Sequence, residues 1–158
     1  MRVGRTIALA LALLIAAAAV SPAATRNATW KRGDYVGTTA GFYKPSGNKP
    51  LRKAHISFYV GAHKVAKIRV EIRVRCADGS HTSFLTAHSG ALSLDKKGRF
   101  SGGADTQTGR DNISGKVSGS RASGRVRSYD REDQSGNEDP NGQQCDSGRI
   151  AWKAHLKK

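Results

Sequence analysis

Beyond its first 23 residues the chain of 158 residues has no long hydrophobic run, and it is poor in cysteine and in aromatic residues. Its two cysteines, Cys76 and Cys145, do not form a Cys-x-x-Cys pair, which argues against redox catalysis and a thiolate zinc site. The sequence also lacks a nucleophile elbow, a phosphate-binding loop and a His-Glu-x-x-His motif. We therefore expect no enzyme, no cofactor and no metal site. Interleaved aromatic residues are scarce as well, which argues against specific recognition of nucleic acid.

The N-terminus has the pattern of a secretory signal peptide. Arg2 and Arg5 precede an unbroken apolar run of 14 residues at 7–20, and small residues follow it. We predict cleavage after Ala23, which leaves residues 24–158 as one exported domain. Because about 20 apolar residues are needed to cross the hydrocarbon core, the run is short for a membrane anchor, but an uncleaved anchor is the alternative. After cleavage we expect no membrane span. The protein would then be secreted, with retention at the cell envelope left open.

Acidic residues are scarce outside one segment. The formal net charge is +15, and loss of Arg2 and Arg5 with the signal lowers it to +13. Six of the 12 acidic residues lie between Asp130 and Asp146, where the single basic residue leaves a charge of −5. The rest of the exported domain therefore carries +18, a field that attracts anionic polymers and surfaces.

Alternation of apolar and polar residues predicts strands, and helical periodicity is almost absent after the signal. The longest alternating run, residues 66–76, predicts an antiparallel strand with one buried face. Its apolar members are Ala66, Ile68, Val70, Ile72, Val74 and Cys76. When this face is matched with that of residues 56–60, Ile56 lies opposite Val70 and Tyr59 opposite Lys67.

Two more hairpins and a closing strand follow the same pattern. Gly98 suits a bulged turn in which Asp95 faces Arg99, and the next hairpin places Val117 opposite Ala122. Cys145 is expected to begin the last strand. About nine strands predict an all-β fold, an antiparallel β-sandwich or a flattened β-barrel. Residues 41–53 and 130–144 are expected to be long, solvated loops.

The two cysteines fit one disulfide bond. Export places both thiols where disulfides persist, and Cys76 ends the strongest predicted strand. A bridge to Cys145 would close a loop of about 70 residues, which the chain-entropy model values at about 4 kcal/mol. Two free buried thiols and an intermolecular pair are the alternatives.

Four short motifs recur together in a known group of proteins. They are Tyr35-Val36-Gly37, residues 74–79 (Val-Arg-Cys-Ala-Asp-Gly), Gly98 to Phe100, and residues 145–152 (Cys-Asp-Ser-Gly-Arg-Ile-Ala-Trp). In these motifs the chain resembles small, mostly uncharacterised secreted all-β proteins of high-GC bacteria. The resemblance implies an all-β fold and a bridge from Cys76 to Cys145, and it implies no catalytic residue.

Basic side chains on strand faces are the candidate binding site. Alternation projects the cations of the long strand to one side at steps of about 6.6 Å, twice the rise per residue. Residues on another strand would extend this surface, so that the candidate set is Lys67, Arg69, Arg73, Arg75, Arg125 and Arg127. Such a surface can bind an anionic polymer of the cell envelope. The alternative is that charged outer faces only keep the sheet soluble and protect its edges.

The acidic segment at 130–146 allows two interpretations. It either binds calcium through carboxylates and Asn137 or Asn141, or it folds as a flap over basic strands. The five histidines are expected to be exposed surface residues.

The preferred function is a secreted, non-catalytic domain that binds an anionic polymer. Two other functions stay open: a module that binds or inhibits a partner protein, and a hydrolase whose site is assembled from scattered residues. The sequence does not indicate an oligomeric state.

Overall fold

The computed structural model describes residues 29–105, 107–133, 137 and 139–158, so the predicted signal at residues 1–23 lies outside the described part of the chain. Every regular element in this part is a β-strand, which confirms the all-β prediction. None of its segments is a helix long and apolar enough to span a membrane. Ten strands follow one another along the chain: β1 (Gly33–Tyr43), β2 (Arg52–Val60), β3 (Lys64–Cys76), β4 (His81–His88), β5 (Leu92–Ser93), β6 (Arg99–Asp105), β7 (Arg110–Ser118), β8 (Arg121–Glu132), β9 (Gln143–Asp146) and β10 (Ile150–Leu156).

Antiparallel pairing closes six of these strands into a ring. β1 pairs with β2 and β10, β3 pairs with β2 and β9, and β8 pairs with β9 and β10. Arg75 of β3 pairs with Asp146 of β9 on one side and with His81 of β4 on the other, so both edges of β3 are occupied. β4 and β5 both pair with β3, and β7 followed by β6 extends from β8. The fold is thus a β-barrel of six strands with four strands outside the ring, within the predicted class.

The structure confirms three sequence predictions, two of them pairing registers and the third a turn. Ile56 lies opposite Val70, and Val117 lies opposite Ala122. In the turn between β5 and β6, Gly98 has a φ of 73°, a conformation that glycine adopts without strain. The Asp95 carboxylate contacts Arg99 Nε at 2.9 Å across that turn. The alternation of apolar residues and the residue types at the turns therefore determine how neighbouring strands pair in these hairpins.

Strand boundaries differ from the prediction in two places. β1 continues to Tyr43 and β2 begins at Arg52, so the two ends of the expected loop at 41–53 are paired strand residues, and residues 44–51 form the connection between them. Likewise β8 continues to Glu132, and β9 occupies 143–146 before a separate closing strand, β10. The prediction that Cys145 begins the last strand is therefore wrong. Neither segment shows apolar alternation, so this pattern does not predict its backbone pairing.

β3 departs from strict alternation at Lys67. Its register with β2 shifts between Ser57 and Tyr59, where Tyr59 pairs with Ala66 instead of Lys67. Lys67 has a φ of 53°, a left-handed conformation that accommodates the extra residue of a β-bulge. Because the bulge exchanges the two faces, Val65 is buried and Ala66 is only half-buried, which corrects the predicted apolar face. The Lys67 ammonium still lies over the Tyr59 ring, 6.0 Å from its centroid.

The core is built around a small set of aromatic rings. Phe58 stacks on Tyr35 with ring centroids 5.4 Å apart, and it meets Trp152 edge to face at 5.6 Å. Phe100 of β6 lies 6.0 Å from Trp152, so the strands outside the ring cover the same core. The Tyr35 hydroxyl donates to the Lys31 carbonyl, and burial raises the pKa of Tyr35. Side chains from all ten strands therefore belong to a single hydrophobic core or pack against it.

Cys76 and Cys145 are joined by a disulfide bond, as predicted. The two residues are register partners in β3 and β9, so the bridge lies where β9 closes the ring. The Glu132 carboxylate lies beside it, with Oε2 4.0 Å from Cys76 Sγ. Glu132 is only 4% exposed, which corrects the expectation that the whole segment 130–144 is solvated.

Candidate functional site

The first candidate surface is the β3 stripe, which consists of Lys67, Arg69, Arg73 and Arg75. Its members project from the outer face of β3, where Arg73 is half-buried and the other three are exposed. In the described part of the chain none of the four is part of an ion pair. Lys67 and Arg69 also line a shallow depression with Asp34 and Lys157.

Glu71 interrupts this stripe at its centre. Its two carboxylate oxygens accept hydrogen bonds from the guanidinium of Arg52, at 2.6 Å each. The Arg52 guanidinium holds the pKa of Glu71 below its ordinary value, with a further contribution from the backbone N–H of His55. Because an anion bound along the stripe would meet this carboxylate between Arg69 and Arg73, the stripe is not a continuous basic track.

The second candidate surface contains Arg125 and Arg127 and lies on the outer face of β6, β7 and β8. The registers align Ser101, Ser114 and Arg125 in one row across the three strands, and Gly103, Asn112 and Arg127 in the next. In each row a long arginine side chain on β8 stands beside short side chains on β6 and β7. The rows are about 6.8 Å apart, two residues along an antiparallel strand. This difference in side-chain length leaves a hollow next to the guanidinium groups.

We call this hollow the arginine groove. It has a volume of about 640 Å³ and a floor that includes Ser101, Gly103 and Ser114. Four arginines line it: Arg110, Arg125, Arg127 and Arg149. Two of these, Arg110 and Arg149, were not among the residues predicted from the sequence.

Two of the four guanidinium groups have carboxylate partners. Arg110 Nε donates to Asp105 Oδ1 at 2.5 Å, and Arg127 Nε donates to Asp146 Oδ1 at 3.1 Å. These hydrogen bonds lower the pKa of both aspartates and raise the pKa of both arginines. The two pairs orient their guanidinium groups beside the groove.

The other two arginines are uncommitted. Arg125 and Arg149 make no ion pair or side-chain hydrogen bond with any residue of the described ranges. Both are exposed at the groove. A guanidinium presents five N–H donors in a planar fork that fits the oxygens of a phosphate or carboxylate. The groove can therefore bind an anionic group with two free guanidinium groups and two that are already oriented.

The segment between β9 and β10 places Arg149 at the groove. The backbone N–H of Ser147 donates to the Ser128 carbonyl at 2.9 Å, and the Ser147 hydroxyl accepts from the Ser128 N–H at 2.8 Å. Gly148 then turns the chain with a φ of 62°, and its N–H donates to Asp146 Oδ1 at 2.7 Å. This reciprocal attachment to β8 orients the turn before Arg149.

The structure separates the six predicted residues into two surfaces. The β3 stripe and the β8 pair are linked through Asp146, which is the register partner of Arg75 and the ion-pair partner of Arg127. Asp146 therefore places a carboxylate between these two cations. The six predicted residues therefore lie on two neighbouring surfaces, and Arg125 and Arg127 belong to the one that contains the arginine groove.

The sequence contained a signal for part of the groove. Extending the predicted hairpin register of β7 and β8 places Arg110 opposite Tyr129 and Asn112 opposite Arg127, as the structure has them. No comparable signal exists for Arg149, because the turn that carries it follows a strand without apolar alternation.

Metal binding has little support in the ranges that the structure describes. The one cluster of potential ligands found there is Cys76, Glu132 and Cys145, and its two sulfur atoms are bonded to each other. Of the predicted acidic segment, Asp146 pairs with Arg127, and Asp130 and Glu132 are part of β8. Four of the five histidines are exposed, and His88 is half-buried.

No protein-family model matches this chain, and no curated protein matches it either.

Proposed function

We propose that the protein is a secreted, non-catalytic module that binds an anionic polymer in the arginine groove. The observation that carries this proposal is the convergence of Arg125 and Arg149, both without a carboxylate partner in the described ranges, on a hollow lined with serine and glycine. Arginine suits this task because its charge-assisted, bidentate hydrogen bonds to phosphate or carboxylate are stronger than hydrogen bonds between neutral groups.

The open shape of the groove favours a polymer over a small molecule. Its rim carries both free and paired arginines, and its floor has hydroxyl groups that can donate to sugar or phosphate oxygens. The net charge of +13 that remains after signal cleavage adds a field that raises the local concentration of polyanions. An envelope polymer that carries phosphate or carboxylate groups is the ligand class that this chemistry fits.

The experiment is binding of the exported protein to cell-wall sacculi, with and without their anionic polymers, from low to high salt. We expect binding that requires the polymers and weakens as salt screens the charges. The variant Arg125→Gln/Arg149→Gln should bind about tenfold more weakly or worse, since hydrogen bonds to charged groups are the strongest contributors.

The matched control is Arg121→Gln/Lys153→Gln. It removes the same charge from two exposed side chains that do not line the groove. If both double variants lose the same affinity, binding follows net charge and the groove is not the site. Absence of binding to intact sacculi at low salt would contradict the function itself and direct the search to a protein partner.

A further inference from the structure

The hairpin between β1 and β2 ends in an arm, residues 41–53, that folds over β3 and β4. Its paired part is formed by Phe42 opposite Lys53 and Tyr43 opposite Arg52. The arm is attached at two points: Arg52 binds both oxygens of Glu71, and the backbone N–H of Lys44 donates to Ser83 Oγ at 3.1 Å. It is therefore a defined element with one face toward the sheet and one toward solvent.

The two faces of the arm differ in chemistry. Tyr43 and Arg52 are half-buried, with the guanidinium 5.2 Å from the Tyr43 ring centroid. Their neighbours in the chain face solvent: Phe42 is 48% exposed and Leu51 is 46% exposed. Only one other large apolar side chain of the described ranges, Leu85, is exposed to a similar degree.

Lysines surround this apolar pair. The Lys53 ammonium lies 5.9 Å from the Phe42 ring centroid, and the Lys44 ammonium donates to the Lys49 carbonyl at 2.8 Å. The arm contains no aspartate or glutamate, and in the described ranges none of its three lysines is part of an ion pair. The solvent face of the arm is thus an apolar pair flanked by unneutralised cations.

We propose that this face of the arm docks on the surface of an anionic lipid bilayer. Phe42 and Leu51 enter the boundary between headgroups and acyl chains, and Lys44, Lys49 and Lys53 bind lipid phosphates. Aromatic and aliphatic side chains beside lysine are the combination that interfacial binding uses, because apolar burial and attraction to anionic lipid add together. A polyanion in solution would use the lysines but would leave Phe42 and Leu51 in water.

The proposal is independent of the arginine groove, because no residue of the arm lines that groove. The two sites can act together, one on a polymer and the other on the membrane beneath it. Each is tested by variants that leave the other unchanged.

The test is co-sedimentation of the exported protein with vesicles of phosphatidylglycerol and phosphatidylcholine, beside vesicles of phosphatidylcholine alone. We expect binding to the anionic vesicles only. The variant Leu51→Ser should bind about fivefold more weakly, and Phe42→Ser about tenfold more weakly. In each variant less apolar surface is transferred from water into the bilayer. Lys44→Gln/Lys53→Gln should bind about 30-fold more weakly, at about 1 kcal/mol per lysine.

Two matched controls separate the arm from the general properties of the surface. Leu85→Ser removes the same side chain from β4, and Lys64→Gln/Lys96→Gln removes the same charge from exposed lysines outside the arm. We expect the leucine control to bind as the unaltered protein does, and the lysine control to lose far less affinity than the arm variant. Equal losses in the arm and control variants, or no binding to anionic vesicles, would overturn the proposal.

A Phe42→Trp variant adds a direct readout of insertion. Its tryptophan fluorescence should shift to the blue with anionic vesicles, and an unshifted spectrum would contradict insertion.

Discussion

At the scale of single residues, two glycines set how closely the sheet approaches Trp152. A Cβ at Gly124 would overlap the Ser114 carbonyl oxygen and the Cζ2 atom of the indole, and one at Gly115 would overlap the same ring. Both glycines face each other in the register of β7 and β8. Because neither glycine has a side chain, the indole of Trp152, the largest buried side chain, can pack directly against the backbone of β7 and β8.

Gly124→Ala is therefore expected to destabilise the fold by about 3 kcal/mol, the upper range for overpacking a core, because backbone must move to relieve the overlap. Denaturant unfolding followed by Trp fluorescence measures the change. The control is Gly90→Ala, where the nearest atom to an added Cβ is His88 Nε2 at 3.8 Å. A Gly124→Ala variant as stable as Gly90→Ala would contradict this packing.

Residue types also show how far the sequence could predict the structure. Alternation in β2, β3, β7 and β8 determines which side chains are buried, so the core residues and hairpin registers follow from the sequence. The bulge at Lys67 does not follow, because a left-handed lysine is a consequence of tertiary fit and has no local signature. For this reason the alternation places Ala66 on the buried face, whereas the structure buries Val65.

At the scale of elements, the arm shows how an ion pair can position a segment that lacks apolar alternation. Pro, Gly and Lys in residues 41–53 are typical of a mobile loop, yet Arg52 and Glu71 hold this segment against β3. The partner residue is distant in sequence, so no local pattern could indicate the attachment. The same holds for β9 (Gln143–Asp146), whose residues are paired because β3 and β8 flank them.

Glu71→Gln is expected to release the arm. Because Arg52 lowers the pKa of Glu71 from its ordinary value of 4.5, the folded state favours the ionised carboxylate. Its contribution is therefore fully present above pH 4.5 and is lost as the pH falls through the lower, folded-state pKa. At pH 7, amide exchange in the arm should be about fivefold faster in the variant, and the difference should shrink in acid.

Asp34→Asn is the control for that experiment, since it neutralises an exposed carboxylate that makes no ion pair in the described ranges. Its exchange pattern in the arm should match that of the unaltered protein. If Glu71→Gln exchanges no faster, the attachment at Ser83 is sufficient to hold the arm in place.

At the scale of the whole molecule, ring closure depends on the short strand β9. It pairs at only two positions with β3 and at four with β8, so it is the narrowest part of the ring. The bond from Cys76 to Cys145 crosses this weak point and spans 69 residues of sequence. β9 also carries Asp146, which orients Arg127 at the arginine groove. Stability and the geometry of the groove therefore depend on the same strand.

Removal of the disulfide in Cys76→Ala/Cys145→Ala is expected to cost about 4 kcal/mol, since the bridge restricts a long loop in the unfolded chain. Denaturant unfolding of the variant, of the reduced protein and of the oxidised protein measures this cost. The reduced protein is the control, because it keeps both side chains and lacks only the bond. Amides of β9 should lose protection first, and anion affinity should fall with them as Arg127 loses its oriented partner. A stability loss below about 1 kcal/mol in both reduced and substituted forms would show that strand pairing alone closes the ring.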